Sequence, residues 1–325
     1  MVRWGSRVQV STTAPEKVLQ FNNCSFLFME IQTLLKRFCD YSLHIRGYSP
    51  ATIRRYKHAI NAYCKQADIS HIEDVSGDNV RNHFFNGRVE LKWKSNSYIC
   101  YHKTLVVFFR WCIENGHMTT NPAMDIEVPK LEKKIPPKLT KQEAMRLLEV
   151  VYNYPHKYHF LRYRNYAIFS TFIFAGIRRK ELLDLKLTDI DLENKSLFVR
   201  QGKGNKDRVV PICDSLAETL GRYLIERQRL NKTCPEFFAS LNRNMGFSTT
   251  GLKRLVQVIK GASGINFSIH KLRHTFATLM LEGGCDIYSL SRMLGHSDIK
   301  TTTIYLAASV EHLRGQMTKH PLNNL

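Results

Sequence analysis

The chain has 325 residues, enough for about two domains, and its apolar and charged contents, 43% and 23%, are ordinary. Its charge is not: 48 Lys and Arg against 28 Asp and Glu give +20 and a pI near 9.7, a field that favours polyanions and speeds encounter with them. The longest apolar run, 166–177, contains Ser170 and Thr171 and falls short of the ~20 residues of a spanning helix, so no membrane partner is expected. The eight cysteines (Cys24, Cys39, Cys64, Cys100, Cys112, Cys213, Cys234 and Cys285) show no C-x-x-C pair and no Cys/His ligand spacing. That is the usage of free thiols in a reducing compartment, and it points to the cytoplasm. The thirteen histidines are scattered, and neither metal nor other cofactor is expected.

Residues 1–25 have no sustained period and lack the continuous apolar core of a signal peptide; they read as a poorly ordered extension, with Met29 a candidate natural start. A helical domain is expected over 26–118. Ile31, Leu34, Leu35 and Phe38 mark one helix face. Ser49-Pro50 gives a cap followed by the residue best suited to the first helical position, and Ile53, Tyr56, Ile60 and Tyr63 form a stripe at steps of three and four. Arg54, Arg55 and Lys57 project from the other side of that helix. Such a charge run is usually a solvated face, but in this basic chain contact with phosphate is the favoured reading. A third helix is expected over roughly Asn79 to Phe85. A fourth starts near Ser97, buries Leu105, Phe108, Phe109, Cys112 and Ile113, and stops at Asn115-Gly116.

Residues 119–139 hold Pro122, Pro129, Pro136 and Pro137 and read as an extended, semi-rigid linker. Thr140 with Glu143 is a capping-box signature that opens a second domain over 140–325. There the apolar helix 166–175 runs into A-G-I-R-R-K-E-L-L-D-L (175–185). Gly176 breaks it, and Arg178 comes to the start of the next helix, where oriented backbone N–H groups already favour an anion. Residues 195–200 alternate as a half-buried strand, G-K-G-N-K-D (202–207) is a turn, and 208–212 is the returning strand. The helices 215–230 and 248–261 look architectural.

The stretch His270 to Tyr305 carries the densest chemistry. Leu272, Phe276, Leu279 and Met280 mark an amphipathic helix on which His270 and Arg273 share a face. Gly283-Gly284 stops it. A short helix (287–294) ends at Gly295, His296 follows, and Ser297-Asp298 caps a third helix with Tyr305 at or near its end. Two imidazoles, a guanidinium and a phenol on neighbouring helix ends suit phosphoryl transfer, with the phenol as nucleophile and the cations stabilising the phosphate.

The H-x-x-R box (270–273), the L-G-H box (294–296) and a tyrosine nine residues beyond its histidine resemble the tyrosine recombinase (phage integrase) family, most closely its Xer-type members. So do A-G-I-R-R-K-E-L, the G-K-G-N-K-D-R hairpin, and R-G-Y-S-P-A-T-I-R-R-Y (46–56), which looks like the start of the family's DNA core-binding domain. The resemblance covers residue 30 to the end. It implies a mainly α fold in two domains, a helical SAM-like core-binding domain and a helical catalytic domain with a small antiparallel sheet. It implies a site-specific recombinase acting on double-stranded DNA with paired half-sites, through a 3′-phosphotyrosyl intermediate and a Holliday junction. By residue, it implies Arg178 and Arg273 as the phosphate clamp, Lys203 as general acid in preference to Lys206, and Tyr305 as nucleophile. His270 is the natural proton acceptor, His296 a donor to a non-bridging oxygen, and Glu181 the buttressing acid. Arg179 and Lys206 fall to DNA contact. The tail (310–314 and 320–322) resembles the helix that Xer-type proteins pass to a neighbour, implying a homo- or hetero-tetramer on DNA. A type IB topoisomerase and a catalytically silent DNA-binding protein are the alternatives.

Overall fold

The computed structural model describes residues 29–131, 136–200, 207–296 and 298–306. The expected N-terminal extension, the hairpin turn with Lys203 and Lys206, and the tail after Leu306 lie outside the described residues. The chain forms two compact units that divide at Lys133/Lys134. Both are helical, and the second carries a small antiparallel sheet.

The first unit is built from α1 (Ile31–His44), α2 (Pro50–Ala67), α3 (Gly77–Val89) and α4 (Ser95–Glu114). α2 begins where Ser49 accepts the Thr52 N–H and Pro50 takes the first helical position. The stripes read from sequence meet in one core: Ile31, Leu34 and Phe38 pack with Ile53, Tyr56, Ile60, Phe108 and Phe109. Burying each such side chain stabilises by about 1.5–3 kcal/mol. Arg54, Arg55 and Lys57 are exposed on the opposite face of α2. Two helices are longer than their sequence signals. α4 starts at Ser95, and its Ile113 is only half-buried. α3 opens at a capping box between Ser76 and Asn79 and continues through Gly87 to Val89. Ala123 and Ile126 are buried in this same core, held by the Ala123 carbonyl to His102 Nε2 and by Tyr98 donating to the Glu127 carbonyl.

The second unit opens with α5 (Lys141–Asn153), capped by the reciprocal Thr140–Glu143 bonds. α6 (His159–Ala175) is buried on nearly every side, as a central helix of a larger core must be. It packs against α5, α8 (Asp214–Arg229) and α10 (Ile269–Glu282). Between them come α7 (Arg179–Asp184), β1 (Ile190–Asp191), β2 (Ser196–Val199), β3 (Arg208–Pro211) and α9 (Thr249–Ser263). The sheet order is β1-β2-β3, antiparallel, with Leu197 opposite both Ile190 and Val210. α11 (Ile287–Leu294) and α12 (Lys300–Thr303) close the described part. Among the described residues no helix is long and apolar enough to cross a membrane, and no cluster of three His, Cys, Asp or Glu could hold a metal ion.

Gly176 and Gly295 shape the corners that matter. Gly176 ends α6 at φ +58, and a Cβ there would meet the Phe276 ring at 2.1 Å. Gly295 ends α11 at φ +63, and a Cβ would meet Arg208 at 2.9 Å. Both conformations belong to glycine, and both lack of side chains lets α10 and β3 close onto the following turn.

Candidate active site

A cleft of about 830 Å3 in the second unit is lined by Arg178, Arg179, His270, Arg273, His296 and Tyr305, among others. Lys253, Gln257 and Lys260 of α9 form part of its wall.

Arg178 is the N-cap of α7, and it is the arginine that turns inward; Arg179 is exposed at the rim. The Arg178 backbone N–H donates to Glu181 Oε2 at 2.7 Å, Nη1 to Glu181 Oε1 at 2.7 Å, and Nη2 to the Gly295 carbonyl at 3.0 Å. Arg273, on the buried face of α10 and only 3% exposed, donates Nη1 to the Gly176 carbonyl at 2.7 Å and Nη2 to the Leu294 carbonyl at 2.5 Å. Burial, and then Arg178, lower its pKa to about 10, which leaves it charged at neutral pH. Arg208 of β3 donates Nε to the Met293 carbonyl at 2.8 Å. Three consecutive carbonyls at the C-terminus of α11 thus each receive a guanidinium from a different part of the chain. That is the helix end where cations are favoured.

Arg208 also holds Glu181 with both Nη groups, at 3.0 and 2.8 Å. Burial alone would raise the Glu181 pKa, but hydrogen bonds and charge from Arg208 and Arg178 outweigh it and hold the carboxyl down to about 2. Because the folded value lies below the ordinary 4.5, the ionised carboxylate contributes stability that is full above that pH and is lost as pH falls toward 2. The Tm of the protein should therefore drop more steeply between pH 5 and pH 3 than that of Glu181→Gln. Equal slopes in thermal unfolding at the two pH values would remove Glu181 from the acid-sensitive groups.

His296 follows Gly295 directly. Arginine can only donate, so the 3.2 Å contact between Arg273 Nη2 and His296 Nε2 makes Nε2 an acceptor. The ring proton then sits on Nδ1 and donates to Thr302 Oγ1 at 2.8 Å. The third helix of this region is shorter than its sequence signal: Ile299 is its N-cap, while Asp298 Oδ1 accepts the Lys300 N–H at 2.9 Å. Tyr305 lies in the turn after it, packed among Phe276, Ala277, Leu281, Leu290 and Leu294 and 2% exposed.

Of the histidines it is His274, not His270, that meets the phenol: Nδ1 lies 2.9 Å from the Tyr305 hydroxyl. His270 stands beside it on the exposed side, its ring centroid 4.3 Å from that of His274 and nearly perpendicular. Burial, then His270 and Arg273, lower the His274 pKa to about 4. Partial desolvation, then Arg273 and Arg178, also lower that of His270. Burial raises the Tyr305 pKa, with Arg273 and Arg178 pulling against it. In this geometry the proton stays on the phenol.

Arg178, His270, Arg273, His296 and Tyr305 are therefore gathered in one cleft with Glu181 behind them. His274, Arg208 and Thr302 carry bonds of the site that reading the sequence did not assign. His274 has a weak signal, lying one turn from His270 on the same helix face. Arg208 is the last residue of the G-K-G-N-K-D-R string, and Thr302 carries no signal.

Fold and cleft together define a class, a helical protein with a tyrosine at a cationic cleft. The phage integrase family matches residues 137–312, and the phage integrase N-terminal SAM-like domain matches residues 34–116. Tyrosine recombinase XerA of Thermococcus kodakarensis is 33% identical over 287 residues, covering 86% of this chain and 93% of that protein. Tyrosine recombinase XerC of Thermodesulfovibrio yellowstonii is 33% identical over 289 residues, 86% of this chain and 93% of that protein. Among solved structures, XerA recombinase matches at 28% identity and a TM-score of 0.50, over 89% of this chain and 98% of that one. XerH site-specific recombinase bound to palindromic difH substrate matches at 20% identity with a TM-score of 0.68, over 87% and 83% of the two chains. The chain belongs to the phage integrase family.

Proposed function

We propose that the chain is a site-specific DNA recombinase that cleaves and rejoins strands through a 3′-phosphotyrosyl intermediate and a four-way junction. The observation that carries this reading is the convergence of Arg178, Arg273, His270, His296 and Tyr305 on one cleft. A phosphodiester under attack gathers charge on its non-bridging oxygens, and forked guanidiniums fit that geometry. Arg178 and Arg273 hold those oxygens. The Tyr305 oxygen attacks phosphorus; the new P–O bond forms as the P–O5′ bond breaks. Lys203 delivers a proton to the departing 5′ oxygen. The phenol proton passes to His270 once the hydroxyl leaves His274, whose low pKa suits it to holding the phenol rather than activating it. As Arg273 turns to the phosphate, the His296 ring proton exchanges through solvent from Nδ1 to Nε2. The Thr302 hydroxyl turns to donate to Nδ1, and the Nε2–H donates a hydrogen bond to a non-bridging oxygen. A 5′ hydroxyl of the second duplex reverses these steps. The phosphotyrosyl link conserves the bond energy, so no nucleotide enters the balance.

The test is to incubate the protein with fragmented genomic DNA of its source, denature in SDS, recover protein-linked DNA and map the linked residue. DNA attached at Tyr305 through a 3′ phosphate, at a recurrent sequence, is the expected result. No linked DNA, or linkage through another residue, would overturn the reading.

The same proposal extends to assembly. The protein works on paired half-sites as a tetramer in the cytoplasm, alone or with a partner recombinase, and Arg54, Arg55, Lys57, Arg179 and Lys206 contact DNA. Val310, Leu313 and Met317 make a stripe at steps of three and four on a segment too short to be stable alone. Docking that stripe on a neighbouring copy closes a ring and couples the active sites. A groove of about 400 Å3 lined by Met145, Leu148, Phe174 and Leu279 offers apolar lining for it. Truncation after Ala308 should leave binding to one half-site nearly unchanged and abolish cooperative filling of the second, read by gel-shift titration. Undiminished cooperativity would refute the exchange.

A further inference from the structure

Behind the two clamp arginines lies a third with a different set of partners. Arg208 lines no part of the cleft, and its side chain is 10% exposed. Nε, Nη1 and Nη2 all donate within the protein, to the Met293 carbonyl and to the two oxygens of Glu181. Glu181, 5% exposed, accepts from Arg208 and Arg178 at once, Oε1 being shared between the Nη1 groups of both. With Arg208 present the three side chains carry +1. Without it they carry zero, and a buried carboxylate left with one partner would draw Arg178 into a closed, two-pronged pair, the geometry this couple favours. In a site of low dielectric that pairing competes directly with a phosphate for the same guanidinium.

We propose that Arg208 is a positioning residue: it neutralises Glu181, so that Arg178 keeps its charge and one guanidinium edge for the phosphate. Through the Met293 carbonyl it also ties this pair to the α11 turn that presents His296. The close approach at Gly295, where any side chain would strike Arg208, keeps that tie short. This inference rests on the strand-transfer reading and goes beyond it, because nothing in that reading requires a third arginine.

The test compares adduct formation at saturating DNA, using the site recovered by the capture experiment, for the wild type, Arg208→Ala, Arg208→Lys and the double variant Arg208→Ala/Glu181→Gln. The wild type forming no adduct sinks the strand-transfer reading itself; the remaining outcomes concern Arg208 alone. Arg208→Ala should be slower by about 10- to 100-fold, the cost typical of outer residues that orient metal ligands carried over to one that orients a guanidinium, with half-site affinity hardly changed. Adding Glu181→Gln should recover several-fold of that loss, because it removes the charge that captures Arg178. A strut that merely supports the fold would gain nothing from it. Arg208→Lys should fall between wild type and Arg208→Ala. If Arg208→Ala proves too unstable to assay, the comparison of Arg208→Lys with Arg208→Lys/Glu181→Gln carries the same reading. Adduct rates equal to wild type, or no recovery on removing the Glu181 charge, overturn the proposal.

Discussion

Tyr305→Phe should abolish the SDS-resistant DNA adduct while leaving the fold and DNA binding in place. The substitution removes one oxygen, and the ring keeps its packing against Phe276, Leu281, Leu290 and Leu294. What the fold loses is the hydrogen bond to His274 Nδ1, a net contribution of about 0.5–1.5 kcal/mol, with a further cost from leaving a buried imidazole nitrogen unpaired. That is a modest part of the stability of a two-unit chain. What the reaction loses is its nucleophile, for which no neighbouring group substitutes. On a nicked duplex carrying the recovered site, the variant should bind normally and yield no covalent product. A persistent adduct would mean another tyrosine attacks, with Tyr288, exposed on α11, the next to examine.

Much of this site was legible because its boxes are local. The turn at Gly176, the cap at Arg178, the helix bearing His270 and Arg273, and the stop at Gly295 all follow from neighbours within one or two helical turns. What was not legible depends on long separations. The bond from His274 to Tyr305 spans 31 residues, and the α11–α12 turn that brings the two together has no periodicity to announce it. Arg208 is 27 residues from Glu181 and 85 from Met293, so its sequence position gives a strand end and nothing of its partners. The underestimate of α3 has a different cause. The helix expected from the sequence ends near Phe85, but Trp93 packs so closely on Gly87 that a Cβ would meet its ring at 2.4 Å. Here the glycine answers to packing, and the helix runs on. Leu279 and Met280 are only half-buried although their spacing matched the core stripe of α10. Leu279 lines an open groove, and Met280 packs at the edge of the cluster around Tyr305.

Arg178→Ala and Arg273→Ala should each slow adduct formation by about 100- to 1,000-fold or more, the cost of removing one preorganised donor from an oxyanion. Their effects on the fold should differ. Arg178→Ala leaves the Glu181–Arg208 pair intact, with two hydrogen bonds between them, and exposes only the Gly295 carbonyl at the cleft. Arg273 is buried, and its loss strands the Gly176 and Leu294 carbonyls and removes one contact of His296 Nε2. Each buried group left unpaired costs about 1–3 kcal/mol, so Arg273→Ala should lower the Tm clearly and Arg178→Ala only slightly. Lysine should rescue neither fully, since a point charge cannot hold a carbonyl and a phosphate oxygen at once as a planar fork does. Arg179→Ala, at the exposed rim, should weaken DNA binding mildly, in a salt-dependent way, and leave the rate at saturating DNA near that of the wild type. Single-turnover cleavage alongside thermal unfolding separates the two effects. An inactive Arg179→Ala beside an active Arg178→Ala would show that the inward-turned guanidinium at the start of α7 is not the one that meets the phosphate.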